Sequence, residues 1–459
     1  MVRDRLRELL VRTAYDKADR LEVPVFAEKN KTKRVPVLEE VIAGMPLDSA
    51  SAGAAAVSLA APARALARAL AWDVRFEPLN DTPLHRGYPS PRSLFPASVD
   101  LVFSLDSGAS RCRYEPSHHA LLPLTPLKPD AAPPAKAGLR IEIVAELERI
   151  APLYCDLAPT LCALEAGHLA QQVCEALLAE GLAFTCRRVA GPPPNDVSAP
   201  LPLVEIELAE RFVAPQAFDF STPLRVARHS PLDADRPLVL RARSWLDCPP
   251  APALAIAQAG PGAPVVPAGN ACERSSGNFV HGMRGRPASD EQLRTMIDAV
   301  ADAYAVFSGD DGLCVTLLQA MPDLEVVAKR LPLGGSEQRF ANGWAPLGDA
   351  YGTLYNIDLQ TVPLVVALSA PFGRLLRDRS SWTYVQLLTT AGMISQRICA
   401  SAARLGFFAR PFKGMVEKQL ESAFDIEGQC FYSLLLGKAG PYNPCFSVSA
   451  LPPPGRQAR

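Results

Sequence analysis

The chain has 459 residues, more than one ordinary hydrophobic core uses, and a formal net charge of −1. Hydrophobic residues at 48% and charged residues at 21% exclude a disordered chain. The near-zero charge excludes a general electrostatic pull toward nucleic acid or an anionic membrane.

Taken in chain order, the first 48 residues read as an N-terminal extension. They open on Arg3, Asp4, Arg5 and Arg7, without the apolar core of a secretory signal. No stretch approaches 18 uncharged apolar residues, so the pattern predicts no membrane span and a cytoplasmic protein. Ala52–Ala63 is short and rich in small residues, a loop or the start of a packed helix. The 44 prolines argue against long uninterrupted helices across much of the N-terminal half.

Strands are predicted at Val99–Leu105 and Leu139–Val144. An amphipathic helix follows, with Leu169, Val173 and Leu177 on one face and Gly181 placed for a left-handed C-cap. Cys248–Asn270, rich in Pro, Ala and Gly, reads as an extended linker. Beyond it, Ser289 is placed to cap a helix whose apolar face is Leu293, Met296, Ile297 and Val300. Glu325–Val327 and Thr361–Leu368 read as strands, then a second helix ending near Gly406, then a strand at Phe431–Leu436. Short strands mixed with helices, with neither regular βαβ spacing nor a GxGxxG run, place the chain in the α+β class.

Two of these elements repeat. Leu164–Phe184 and Thr389–Ala409 match at a constant offset of 225 residues. It sets Ala166 on Ala391, Gly167 on Gly392, Gln171 on Gln396, Cys174 on Cys399 and Gly181 on Gly406. The division that follows is a first half at 49–247, a linker at 248–270 and a second half at 271–459. A glycine inside each helix, Gly167 and Gly392, costs about 1 kcal/mol against alanine and suggests close approach by a backbone or a bound ring.

Eleven cysteines without a CxxC fit reduced core thiols better than a disulfide framework. Six histidines form no ligand pattern, and no metal site is expected.

Three segments of the first half carry a resemblance. They are Arg86-Gly-Tyr-Pro-Ser-Pro-Arg-Ser-Leu-Phe-Pro96, the run Cys112–Leu121 with its Tyr114, Pro116 and His119, and Glu165-Ala-Gly-His-Leu-Ala-Gln-Gln172. In this order they resemble SagB-type dehydrogenases of the nitroreductase superfamily. Arg274-Ser275 with Phe279, and Arg410-Pro-Phe-Lys-Gly414, are similar to the superfamily's Arg-Ser opening and Pro-x-x-Gly turn. Cys112, Gln172 and Gly277 depart from the pattern, standing for tyrosine, asparagine and arginine.

The resemblance implies a nitroreductase-type fold with FMN bound between paired domains, here fused as a pseudo-dimer within one chain. It implies Arg274 on the FMN phosphate and Ser275 and Pro89-Ser90 on ribityl or ring oxygens. The backbone of Lys413 or Gly414 would face flavin N5. The first half has Pro89-Ser90 but no arginine near Ser49–Gly53, where the offset places the counterpart of Arg274. The second half has Arg274-Ser275 and Lys413-Gly414 but no Pro-Ser segment. We expect these complementary pieces to hold one FMN per chain.

Tyr154 and His168 are the candidates for proton transfer, each also readable as a packed structural residue. Azole-forming members carry lysine where this chain has Leu153. Two functions fit. One is an FMN-dependent dehydrogenase or oxidase acting on a peptide in ribosomal natural-product modification, alone or with a partner modification enzyme. The other is a flavin-free scaffold or peptide-binding subunit.

Overall fold

The computed structural model describes residues 45–46, 60–71, 73–76, 84–105, 108–116, 120–124, 138–189, 201–209, 255–259, 275–276, 285–307, 312–333, 335–345, 359–373, 382–414, 416–439 and 446–449. The elements begin with β1 (Met45–Pro46), α1 (Ala60–Leu70), β2 (Asp73–Phe76), β3 (Leu84–His85), β4 (Ala97–Leu105), β5 (Gly108–Glu115), β6 (Ala120–Pro123) and β7 (Gly138–Ala145). Next come α2 (Ala158–Ala179), β8 (Phe184–Arg188), β9 (Leu201–Leu208), β10 (Ala255–Ala259), β11 (Gly285–Arg286) and α3 (Asp290–Ala305). The chain continues with β12 (Cys314–Ala320), β13 (Val326–Arg330), β14 (Gln338–Phe340) and β15 (Leu364–Ala370). It closes with α4 (Trp382–Arg404), β16 (Phe408–Phe412), α5 (Glu417–Phe424), β17 (Gln429–Ala439) and β18 (Phe446–Ser449).

These elements fall into two units, each discontinuous in sequence. One takes in the described residues of Glu22–Trp72 and Ser90–Ala268, the other those of Asp73–Pro89 and Gly269–Arg459. The units differ from the expected division at three places: β1 of the N-terminal extension and β10 of the linker join the first unit, and Asp73–Pro89 joins the second. Asp73–Pro89 belongs with the C-terminal unit, because β2 pairs with both β18 and β3.

The first unit holds an eight-stranded antiparallel sheet in the order β1-β6-β5-β4-β7-β9-β8-β10. The second holds a sheet in the order β11-β17-β15-β12-β13-β14, with β16 also pairing with β17. Reading β6-β5-β4-β7-β9-β8 against β14-β13-β12-β15-β17-β16 gives one order twice. In both, the long helix leaves the strand next to the hairpin pair (β7 or β15) and returns to the outer strand (β8 or β16).

The two helices end alike. Gly181 (φ 74°) and Gly406 (φ 69°) adopt the left-handed conformation expected of them. At each, the glycine N–H donates to the carbonyl three back and the next residue's N–H to the carbonyl five back. The pairs are Gly181 to Leu178 (2.9 Å) and Leu182 to Leu177 (3.0 Å). Their counterparts are Gly406 to Ala403 (3.1 Å) and Phe407 to Ala402 (2.8 Å).

Three expectations need correction. α2 runs 22 residues despite the proline-rich surroundings, because Pro159 sits in its first turn, where no amide partner is lost. Nor is it one-sided: every residue from Ala158 to Leu177 is buried. Gln171 Nε2 finds a partner inside, donating to Glu175 at 3.0 Å. Finally, the linker contains a strand. The proline-free run Ala255–Ala259 pairs with β8, since its amides can donate where the flanking prolines cannot.

Smaller shifts have equally local causes. The strand expected from Thr361 begins at Leu364, after Pro363, and Leu359–Thr361 is a 3-10 turn. β13 extends beyond Val327 to Arg330, where Lys329 pairs with Glu337 (2.9 Å) and Arg330 with Glu427. Ser289 caps α3 as expected, with Gln292 completing a capping box. The cores are conventional. In the second unit, Phe424 lies edge-on to Phe340 and Trp344 within a cluster that includes Leu318, Val365 and Leu435.

One face of the first unit's sheet carries charge. Arg113, Asp100, Glu142, Glu205 and Arg187 lie opposite one another across five strands. Asp100 and Glu142 are fully buried, and Arg111 bridges them, 3.1 Å from Asp100 and 2.5 Å from Glu142. Arg113 bonds Asp100 and Glu146. Buried charges persist only when paired in this way. Among the described residues no helix is long and apolar enough to cross a membrane. No group of acidic, histidine and cysteine residues among them is placed to hold a metal.

Candidate functional site

In the second unit, the short described stretch Ser275–Ser276 lies along β16. Ala409 N–H donates to Ser275 O at 2.9 Å, and the Arg410 guanidinium donates to Ser276 O at 3.4 Å. β16 then runs directly into Lys413 and Gly414. The tertiary structure thus joins Ser275 to the strand that carries the expected turn, across 134 positions of sequence. Arg274 lies outside the described residues.

Burial decides what the turn presents. Lys413 is 5% exposed, and its ammonium donates to Glu417 Oε1 at 2.6 Å. Burial disfavours that charge, but the Glu417 carboxylate and the Tyr384 phenol favour it, and the Lys413 pKa ends above the usual lysine value. Gly414 is exposed, and a Cβ there would meet the Phe412 ring at 2.7 Å. The turn therefore buries its lysine side chain and exposes Gly414.

Pro89 belongs to this unit as well. It ends a segment fastened by Gln396 of α4, whose amide donates to Gly87 O at 3.0 Å, and by Arg86, which donates to the Tyr88 hydroxyl at 2.8 Å. Gln396 is one of the residues repeated between the two helices.

The adjacent Ser90 belongs to the other unit. Its hydroxyl donates to Glu165 Oε2 at 2.6 Å and accepts from Phe95 N–H at 2.8 Å. Ala97 N–H reaches the second Glu165 oxygen at 3.3 Å. A hydroxyl has one proton, and Glu165 takes it. His168, one helical turn beyond Glu165, is 1% exposed within α2. Tyr154 is half-buried at the end of a helical turn, Ala151–Tyr154, just before Cys155 at φ 45°.

The fold has a match among solved structures. A protein from Anabaena variabilis ATCC 29413, provisionally named a nitroreductase, superposes with a TM-score of 0.63. The match covers 95% of this chain and 99% of that one, at 17% identity. The fold is the nitroreductase fold. A second protein so named, from Ralstonia eutropha JMP134, aligns over 37% of this chain and 80% of its own, at 14% identity and a TM-score of 0.26, too distant to bear on the fold. No family model matches the sequence. No curated protein does.

Within this nitroreductase fold, the donor set on the second unit suits a group bearing a phosphate and several oxygens. It comprises the hydroxyls of Ser275 and Ser276, whose carbonyls accept from Ala409 N–H and the Arg410 guanidinium, and the exposed backbone of Gly414. FMN is such a group. Burial drives the Arg410 pKa down to about 9.

From the residue pattern alone Arg410 carries no role of its own and Glu417 does not stand out. The available signals are a lone arginine in the aromatic run Phe407–Phe412 and the four-residue spacing of Lys413 and Glu417. A cavity of about 510 Å³ lies elsewhere in the unit, lined by Asp290, Arg294, Asp298, Lys329 and Glu337 among others. None of the expected site residues borders it.

Proposed function

We propose that this chain is an FMN-dependent oxidoreductase that binds one flavin. The observation carrying the reading is the Ser275–Ser276 stretch hydrogen-bonded along β16, next to an exposed turn backbone, within a nitroreductase fold. FMN, when bound, takes a hydride equivalent from a reduced substrate and passes the electrons to an acceptor. Arg274 would hold its phosphate by charge and paired hydrogen bonds. The Ser275 hydroxyl would reach ribityl oxygens. Backbone amides at Lys413 or Gly414 would donate to the ring without any titrating group.

Tyr154 and His168 remain the proposed proton carriers, and Tyr154 is the more accessible. Leu153 stands where azole-forming members carry a lysine. The finer reading is a SagB-type dehydrogenase of the nitroreductase superfamily, acting in the cytoplasm on an azoline-type ring or a Cα–Cβ bond of a ribosomal peptide. The three first-half segments support it. Tandem duplication is likewise our reading of the repeated strand order and the matched helix ends.

The test is the visible spectrum of the purified protein, with heat release and identification of any chromophore. We expect one FMN per chain, lost in Arg274→Ala. A colourless protein that also fails to take up added FMN overturns the enzyme and leaves the flavin-free scaffold.

A further inference from the structure

The buried ion pair at the end of β16 is larger in consequence than its size. Lys413 is 5% exposed and Glu417 is fully buried, with 2.6 Å between ammonium and carboxylate. Such a pair forfeits two hydration shells, and apolar residues of similar volume serve stability as well or better. What the pair adds is direction. Glu417 opens α5, where the positive helix end favours its carboxylate. Four residues earlier, the lysine is drawn beneath the turn, toward Tyr384 of α4 and Cys430 of β17. The next residue, Gly414, is exposed.

We propose that Glu417 and Lys413 are positioning residues: their ion pair fixes the Lys413–Gly414 backbone in the orientation that meets the flavin ring. This rests on the FMN reading above. A donor aimed at a ring must hold its direction within a narrow angle, and an anchor on the neighbouring side chain sets that direction. The ammonium itself points away from the turn's outer side, so it contributes orientation and no direct contact.

The experiment compares wild type, Glu417→Gln, Lys413→Met, Lys413→Arg and the double variant Lys413→Met with Glu417→Leu. FMN affinity, flavin reduction potential and thermal unfolding are measured for each. The double variant removes both charges and keeps the volume filled, so it is the folded control. We expect it to unfold near the wild-type temperature yet bind FMN about tenfold or more weakly, the loss of one well-aligned hydrogen bond. Its reduction potential should shift as well, while Lys413→Arg restores wild-type affinity and potential. A folded double variant with wild-type affinity and potential overturns the positioning role and leaves the FMN reading intact. Failure of the wild type to bind FMN overturns both.

Discussion

Ser90 Oγ and Glu165 Oε2 lie 2.6 Å apart across 75 positions of sequence. The bond joins the proline turn before β4 to the middle of α2, and with Ala97 N–H it occupies both carboxylate oxygens. Ser90→Ala would leave a fully buried carboxylate short of a donor, so we expect a loss of about 1–3 kcal/mol. Denaturant unfolding checks this, and a change under about 0.5 kcal/mol would show that the bond carries no net stability.

The matched helix ends make a paired prediction. Nothing lies within 4 Å of a Cβ added at Gly181 or at Gly406, so alanine there meets only backbone strain. Each substitution should cost about 1–2 kcal/mol, and the two costs should agree. Unequal shifts in denaturant midpoint would mean that the two caps are not energetically equivalent.

Glu148 supplies a pH test. Burial raises its pKa, its own backbone hydrogen bond and Arg149 and Arg113 lower it, and Glu146 raises it further, with a net increase. A carboxyl whose folded pKa is raised contributes stability in its protonated form, below the unfolded value near 4.3, and loses it as pH rises through the folded value. Glu148→Gln should therefore be more stable than wild type at pH 7, with the difference closing below about pH 4. A pH-independent difference would assign the effect to packing.

Phe424, 1% exposed, meets the Phe340 ring at 5.3 Å and the Trp344 ring at 6.3 Å between centroids. Phe424→Ala should cost about 3–5 kcal/mol. It should also shift Trp344 fluorescence in the folded protein. A loss under about 1 kcal/mol would mean that the core collapses around the missing ring.

How much of this was legible in the residues differs by feature. Strands β4, β7 and β17 were readable because branched and aromatic apolar residues recur along them, alternating with polar ones in β7. The cap of α3 followed from Ser289 and the ends of α2 and α4 from their glycines, since these signals act within a few residues. β10 was not legible, because an alanine-rich edge strand has no pattern until β8 lies beside it. The burial of Glu165, Gln171 and Glu175 was equally hidden, since polar side chains go inside only when partners arrive from elsewhere.

By itself the sequence determined the α+β class, the repeated helix with its glycine end, and the segments around Pro89, Glu165, Ser275 and Lys413. Local propensity and short-range capping suffice for those. Only the tertiary structure decided that Asp73–Pro89 leaves its sequence neighbours for the C-terminal unit. It alone decided that Ser90 spends its proton on Glu165 and that Lys413 turns inward onto Glu417. Those outcomes depend on which groups meet in a low-dielectric interior, where each buried charge or hydroxyl takes the partner that the packing places within reach.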